Sequence, residues 1–265
     1  MSRWIVVFAL LGAAGAGADP HPVGPTPKSL EYAVRVLGIG MTSRVTIDAE
    51  GPVLSISSTL DAPLFGGVIA RNDHTTRFEP RDCDPRQLSY VNVGGILAWR
   101  FEDRVEFDWD GHTIDYRGRD GERRYAFSGE TFVDKLSQYE AIACRLRAGD
   151  SDFTLNYVDD RIARYRFVVD GEEVIESPAG TFRTVRLVAG PERTELGLQG
   201  YHGRVTYWLA PEIGFYPVRI RAASRRPFRI ALELRTVVRG TDGPTSELPA
   251  SDHRVRPVFT IEAPR

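Results

Sequence analysis

The chain has 265 residues, of which 42% are hydrophobic and 26% are charged, so it can bury a core and is not a disordered chain. Its 34 basic and 36 acidic residues leave a formal net charge of −2 at pH 7, which excludes a strongly basic nucleic-acid-binding protein. The counts of 25 Gly, 17 Pro, 13 Phe and 10 Tyr favour strands and turns over helices.

The N-terminus has the pattern of a secretory signal peptide. Arg3 provides a positive charge, residues 4–11 are apolar, and small residues continue to Ala18, after which the pattern predicts cleavage. The apolar run is shorter than the roughly 20 residues that span a bilayer, although an uncleaved anchor is the alternative interpretation. No cysteine lies near Ala18, so we do not expect a lipid anchor. The sequence therefore predicts that residues 1–18 are removed and that the mature protein is periplasmic, without a transmembrane segment.

The rest of the chain has the pattern of one β domain. Residues 19–30 contain four prolines and are expected to form an extended leader to the first strand. Residues 31–240 then alternate apolar and polar residues, and turn signals such as Asp-Gly interrupt them about every ten residues. This predicts an all-β fold, a strongly curved antiparallel sheet or a barrel-like meander, with Arg on its outer face. Residues 241–265 are expected to form a Pro-rich flexible tail.

The apolar stretch 63–69 contains two glycines and is not explained by turn chemistry. The interpretation we favour is a buried turn, because apolar runs usually end inside a protein. The alternative is a mobile apolar lip at the mouth of a barrel.

Two cysteines, Cys83 and Cys144, are the only ones in the chain. In an exported protein such a pair either closes a disulfide or remains as two separate buried thiols, and the oxidising compartment favours the first. The loop between them has 61 residues, so a bond would stabilise the protein by roughly 4 kcal/mol.

One group of residues, Asp108, Asp110 and His112, has the spacing of a weak metal-site candidate. On an extended strand the three would share a face and could bind a divalent cation. Asp110-Gly111, however, is a strong turn signal that would break this face, so we expect no metal site and no cofactor.

Residues 131–147 are the only segment with helical spacing. The apolar residues that follow this spacing are Phe132, Leu136, Tyr139, Ile142, Ala143 and Leu146. This predicts one helix over 131–147, packed on the sheet or across a barrel mouth. Asp134 is expected to stabilise its N-terminal end, and a functional carboxylate is the alternative interpretation.

Near residue 211 the chain is expected to form a tight hairpin, because Pro211 and Gly214 separate two strand patterns. Pro217 follows in the second strand and cannot donate a ladder hydrogen bond. That strand is therefore predicted to be either an edge strand or bulged.

Several segments together resemble the domain of unknown function 3108 family of exported proteobacterial proteins. The segments that carry the resemblance are Phe107-Asp108-Trp109, Asp134-Lys135-Leu136-Ser137, and the ranges 165–173, 177–185 and 207–220. The likeness covers roughly residues 30–235. It implies an exported, mainly antiparallel β protein and implies no established reaction. The two cysteines and residues 60–80 do not match the family pattern.

No catalytic constellation is present in the sequence, so we expect a protein that is not an enzyme, and a hydrolase is the least favoured alternative. Four aromatic residues, Phe107, Trp109, Tyr165 and Phe167, are expected to face inward and are the candidate ligand-binding residues. The sequence favours a binding or envelope-maintenance module for an apolar or lipidic ligand. The alternative is an interaction protein that docks to an envelope partner through the Pro217 strand or the tail.

Overall fold

The structure is a computed structural model that describes residues 26–36, 38–64, 67–96, 99–158, 162–192, 203–223 and 229–239. The first eight strands are Pro27–Val36 (β1), Ile39–Glu50 (β2), Val53–Leu64 (β3), Gly67–Glu79 (β4), Arg86–Ile96 (β5), Trp99–Asp108 (β6), Thr113–Gly118 (β7) and Gly121–Ala126 (β8). The remaining elements are Phe132–Val133 (β9), the helix Gln138–Arg147 (α1), Asp152–Val158 (β10), Ile162–Ser177 (β11), Gly180–Pro191 (β12), Arg204–Ala210 (β13), a 3-10 turn at Pro211–Ile213, Tyr216–Ala223 (β14) and Arg229–Arg239 (β15).

The strands form one sheet of 15 strands, built from two meanders joined at β1. From β1 to β8 each strand pairs antiparallel with the next one along the chain. On the other side of β1 lies β15, and the order then runs back through β14 to β9. Only β9 and β10 pair in parallel, with α1 as the connection between them.

The sheet curls until its two edge strands, β8 and β9, approach each other without pairing. Tyr90 and Ile114 from one side of the sheet share an apolar cluster with Phe132 and Val158 from the other. The predicted fold is therefore confirmed, as a curved antiparallel sheet that is not closed into a barrel.

Helix α1 packs on the concave face of this sheet. Ala141, Ile142 and Ala143 are fully buried against apolar side chains that include Phe167 and Leu187. Arg side chains lie on the convex face, where they pair with acidic neighbours across strands, such as Arg166 with Asp152 and Arg124 with Asp115. The predicted outward position of Arg is thus confirmed for these strands.

The helix is shorter than the sequence predicted. It begins at Gln138 instead of residue 131, and Phe132 and Val133 form β9 against Asn156 and Tyr157. The prediction of a helix over 131–147 is wrong for its first seven residues. The reason is that β10 offers free backbone groups at the edge of the sheet, which pairing with β9 satisfies.

Strand β14 lies between β13 and β15, so the prediction that Pro217 sits on an edge strand is wrong. The alternative, a bulge, is confirmed, because the pairing jumps from Trp208 with Arg219 to Leu209 with Pro217. The bulge leaves Pro217 at a place where the ladder needs no N–H group. The predicted hairpin is also confirmed, and Gly214 supports it with a φ of 69°.

Several predictions concern residues that the structure does not describe. The leader 1–18 with its cleavage after Ala18, residues 19–25 and the tail 241–265 lie outside the described ranges, as do residues 65–66 of the apolar stretch. Strand β1 begins at Pro27, so it includes the last four residues of the predicted 19–30 leader. Among the described residues no helix is long and apolar enough to cross a bilayer.

Candidate functional site

The four aromatic residues predicted to line the interior lie in two separate places. Phe107 and Trp109 stack with ring centroids 6.0 Å apart, in the cluster between the two sheet edges. Tyr165 and Phe167 lie on β11, where Phe167 stacks on Phe153 at 5.4 Å and is fully buried. The structure therefore does not gather the four around one ligand: Phe167 is buried, and Phe107, Trp109 and Tyr165 are half-buried.

The residues Asp108, Asp110 and His112 lie at the turn between β6 and β7 and do not share one strand face. Asp108 Oδ1 accepts a hydrogen bond from the backbone N–H of Gly111 at 2.8 Å, and His112 has a φ of 51°. In the described ranges no three His, Cys, Asp or Glu side chains are placed to hold a metal ion. The turn that the Asp-Gly signal indicated is present.

A disulfide joins Cys83, in the turn between β4 and β5, to Cys144 of α1, with their Cα atoms 5.0 Å apart. The predicted bond is confirmed. Asp84 supports the same connection, because its Oδ1 accepts hydrogen bonds from Arg145 at 3.1 Å and from Thr131 at 3.2 Å. The disulfide and the Asp84–Arg145 bond therefore attach α1 to the turn between β4 and β5, and the Asp84–Thr131 bond attaches the segment before β9 to the same turn.

A buried polar centre holds the N-terminal end of α1. Asp134 Oδ1 accepts the backbone N–H groups of Leu136 at 2.7 Å and Ser137 at 3.2 Å, while Ser137 Oγ accepts the N–H of Asp134 at 3.0 Å. This reciprocal pattern resembles that of a capping box. From the sheet, Thr76 donates to Asp134 Oδ2 at 2.5 Å, and Gln87 donates to Ser137 Oγ. Asp134 therefore stabilises the turn that leads into α1, while the N-cap residue of the helix is Ser137, which has no side-chain capping hydrogen bond.

Burial raises the pKa of Asp134 above its ordinary value of 3.8, although the hydrogen bonds from Thr76, Leu136 and Ser137 act in the opposite direction. A carboxyl whose pKa is higher in the folded state adds stability that is complete below the unfolded pKa and is lost as the pH rises through the folded pKa. We therefore expect the Asp134→Asn variant to gain stability relative to the wild type as the pH rises above about 4, measured by urea denaturation across pH.

The matched control for this pH dependence is Asp152→Asn. Arg166 hydrogen-bonds to Asp152 and lowers its pKa, so its contribution to stability is lost as the pH falls. The Asp152→Asn variant should therefore gain stability relative to the wild type as the pH falls, which is the opposite of the trend expected for Asp134→Asn. The same pH trend in both variants would contradict the assignment for Asp134.

Tyrosine hydroxyls line the inner face of α1. Tyr157 and Tyr207 donate to Gln138 Oε1, and Tyr216 donates to Glu140 Oε1 at 2.7 Å. Burial raises the pKa values of all three tyrosines well above 10.0, so they remain protonated hydrogen-bond donors. This network orients α1 inside the sheet.

A row of polar side chains crosses the concave face of β3, β4, β5 and β6. Ser58 lies opposite His74, His74 opposite Asn92, and Asn92 opposite Asp103 in the strand register. We call these four residues, with Asn72 beside them, the polar row. Asn72 donates to Asn92 Oδ1 at 2.9 Å, and Asn92 donates to Asp103 Oδ2 at 3.4 Å.

Asp103 ends the polar row and has 0% exposure, yet it is ionic. Arg119 pairs with its Oδ2 at 2.8 Å, and Tyr116 donates to its Oδ1 at 2.9 Å. Burial and this hydrogen bond raise the pKa of Tyr116 to about 12. The Asp103 carboxylate is thus neutralised by a cation and accepts hydrogen bonds on both oxygens, as a buried charge requires.

Two glycines permit the close packing around this row. A Cβ atom at Gly94 would lie 2.4 Å from Phe101 Cζ and 2.5 Å from Asn72 Nδ2. A Cβ atom at Gly118 would lie 2.3 Å from Asp103 Oδ1. No side chain other than hydrogen fits at either position without moving the polar row.

Many inward-facing side chains towards one end of the sheet are only half-buried, although Ala62 of β3 is buried there and Leu54 of the same strand is half-buried at the other end. Along β3, Ile56 is fully buried and Leu60 is half-buried, and along β15 the same change separates Leu234 from Leu232. The half-buried inward-facing residues are Val36, Met41, Ser58, Leu60, Asn72, His74, Phe101, Tyr165, Val205, Ala222, Ile230 and Leu232. We call this region the half-buried end, and the opposite region, which holds α1 and the disulfide, the packed end.

Comparison with known proteins identifies a family. Residues 31–225 match the family described as "Protein of unknown function (DUF3108)". The chain belongs to the DUF3108 family. The structure is similar to the beta-barrel-like protein of the domain of unknown function DUF1849 from Brucella abortus, with a TM-score of 0.54 and 10% identity over 83% of this chain and 100% of that chain. At this identity the likeness shows a shared fold alone.

Two further solved structures resemble the DUF3108 chain at lower TM-scores. A candidate exported protein with a YmcC-like fold from Bacteroides fragilis gives a TM-score of 0.35 and 10% identity, over 81% of this chain and 98% of its own. A candidate lipoprotein from Parabacteroides distasonis gives 0.33 and 10%, over 80% and 95%. No functionally curated protein matches the chain.

The segments that resemble the DUF3108 family form identifiable parts of the fold. Asp134 to Ser137 form the turn that leads into α1, and residues 207–220 form the β13–β14 hairpin with its bulge. The polar row was missed by the sequence analysis. His74, Asn72 and Asn92 occupy inward positions of β4 and β5, where Thr76 and Gln87 are also polar, so the strand register was needed to see them as one row.

Proposed function

We propose that this DUF3108 protein is an exported, non-enzymatic binding protein that holds an apolar or lipidic ligand against the concave face of its sheet. The observation that carries this proposal is the half-buried end. There, Leu60, Ile230 and Leu232 point into the curve of the sheet and keep accessible surface. A fully packed interior would bury such side chains completely, as it does for Ile56 and Leu234. Partly enclosed apolar space is the usual form of a ligand site.

Export is supported by the leader pattern of residues 1–18 and by the Cys83–Cys144 disulfide. Disulfides persist in oxidising compartments such as the periplasm and are rare in the reducing cytosol. A disulfide between α1 and the turn between β4 and β5 is therefore consistent with a protein that works outside the cytoplasm.

The non-enzymatic part of the proposal is supported by the use of the buried polar groups. Asp134 and Ser137, which lie together inside the fold, stabilise the turn that leads into α1 and form hydrogen bonds with Leu136, Thr76 and Gln87. A general base or nucleophile would need a free oxygen facing a substrate.

The alternative of docking to an envelope partner stays a prediction, without the Pro217 edge on which it was partly based. The described residues do form a shallow groove of ≈ 420 Å³ on the convex face of β11 and β12, lined by Arg166, Val168, Val188 and Arg204 among others. Nothing in this groove selects one partner.

The proposal is tested with pyrene-labelled dioleoylglycerol, which carries two apolar chains and no charge, added in detergent to the mature protein. We expect saturable binding by the wild type. The Leu232→Trp variant should lower the affinity on the order of tenfold, because the indole fills space that two or three buried methylene groups of the ligand would occupy.

The matched control is Val238→Trp on the same strand, where the side chain is 47% exposed on the convex face. This variant should bind like the wild type. Absence of binding by the wild type, together with native mass spectra that show no co-purified lipid, would overturn the proposal. Equal binding by the Leu232→Trp variant would remove the concave face as the site.

A further inference from the structure

The concave face of the half-buried end has two chemically different walls. Val36, Leu232 and Tyr165 belong to strands on one side of the sheet and are apolar or aromatic. The polar row belongs to β3 to β6 on the other side. A ligand held between these walls would meet hydrocarbon on one side and hydrogen-bonding groups on the other. The ligand that fits is therefore amphipathic.

We propose that the polar row binds an uncharged polyhydroxyl headgroup, such as a glycosyl group, at the polar end of this ligand. The inference rests on the proposed function and adds the chemical class of the headgroup. Three properties of the row support it, namely its charge, its hydrogen-bonding capacity and its length.

The first property is charge. Asp103 is the one charged member of the polar row, and Arg119 neutralises it at 2.8 Å. A phosphate headgroup would need cations that are not already paired, and an ammonium headgroup would need an unpaired carboxylate. A neutral headgroup requires neither.

The second property is hydrogen-bonding capacity. The side-chain amide of Asn72 and the hydroxyl of Ser58 can each donate and accept, as sugar hydroxyls also do. Asn72 uses one amide hydrogen on Asn92 and is half-buried, so its side chain keeps accessible surface. Ser58 is likewise half-buried and shares one hydrogen bond, at 3.2 Å, with Ser43.

The third property is length. Asn92 and Asp103 are buried, so the members of the row that keep accessible surface are Ser58 on β3 and His74 and Asn72 on β4, and directly opposite residues on these neighbouring strands are about 4.8 Å apart. A single hydroxyl or amide group would contact one member of the row. A headgroup with several hydroxyls in sequence can contact several members at once.

The test compares three probes with identical acyl chains: dioleoylglycerol, monoglucosyl-dioleoylglycerol and dioleoyl-phosphatidylglycerol. Binding to the full mature protein is measured by displacement of the pyrene-labelled lipid. We expect the wild type to prefer the glucosyl lipid over dioleoylglycerol by about tenfold, which corresponds to one or two net hydrogen bonds. The Asn72→Leu variant should lose this preference and keep its affinity for dioleoylglycerol.

The control variant is Thr75→Leu, on the same strand but exposed on the convex face, which should keep the preference. Ser58→Ala is the second test variant, in case Asn72→Leu melts well below the wild type, and it should reduce the preference in the same direction. Equal binding of the glucosyl lipid and dioleoylglycerol by the wild type would overturn this inference and leave the proposed function standing. Preference for phosphatidylglycerol would also overturn it. Failure of all three lipids to bind would reject the proposed function and the inference with it.

Discussion

Replacing Cys83 and Cys144 together by serine is expected to lower the free energy of unfolding by roughly 4 kcal/mol. The disulfide closes a loop of 61 residues, and its removal returns the entropy of that loop to the unfolded chain. The bond also attaches α1 to the turn between β4 and β5, so its loss should loosen the helix first. Urea denaturation followed by circular dichroism measures the change as a lower midpoint.

Reduction of the wild type supplies the control for this variant. Treatment with a phosphine reductant should lower the midpoint of the wild type towards that of the double serine variant, and should leave the variant unchanged. Asp84 and its bonds to Arg145 and Thr131 remain in both proteins, so they do not contribute to the difference. An unchanged midpoint in wild type whose two thiols are shown to be reduced would contradict the prediction.

The Asp103→Ala variant is expected to lose about 3 kcal/mol of unfolding free energy. Four groups lose their acceptor together: the hydroxyl of Tyr116, the amide of Asn92, and both the guanidinium and the backbone N–H of Arg119. Tyr116 and Asn92 are fully buried and cannot replace this acceptor with bulk water, whereas Arg119 is partly exposed and recovers some hydration. Chemical denaturation measures the loss.

The matched control is Glu102→Ala, one residue earlier on β6. Glu102 faces the convex side, pairs with Arg104 at 2.9 Å and is half-exposed, so its removal should change stability by no more than about 0.5 kcal/mol. The Asp103→Asn variant should fall between the two, because it keeps an acceptor and removes the charge. Equal effects of Asp103→Ala and Glu102→Ala would show that the buried carboxylate does not hold β6, β7 and the polar row together.

The fold class could be predicted because strand alternation is a local property. In a sheet with one buried face most of the inward-facing residues, every second one along a strand, are apolar. Phe101, Val105 and Phe107 show this spacing in the sequence, and Asp103 is the polar exception on their face. Turn signals such as Asp110-Gly111 are also local, and the turn is present at the predicted position.

The errors arose where the environment of a segment decided its structure. Phe132 and Val133 have helical spacing, yet they form β9 because the edge of β10 is next to them. Pro217 is compatible with an edge strand or a bulge, and only the order of strands in the sheet selects the bulge. The strands that decide these two structures are not adjacent in the sequence to the segments concerned, so no local sequence pattern predicts either outcome.

The candidate site could be predicted only in part. Inward-facing aromatics were expected on β6 and β11, but the curl of the sheet places Phe107 and Phe167 in different clusters. Ser58, His74, Asn92 and Asp103 are 11 or more residues apart along the chain and form one row because four antiparallel strands align them.

The sequence by itself determined the all-β class, the convex position of the Arg side chains and the choice of Cys83 and Cys144 as a pair. Each of these follows from residue type and short-range spacing, or from there being only two cysteines. The tertiary structure alone decided that the sheet curls without closing, that one end of its concave face is half-buried, and that a polar wall faces an apolar one there. These features depend on the order of the strands and on the curvature of the sheet, and both are set by contacts between residues that are far apart in the chain.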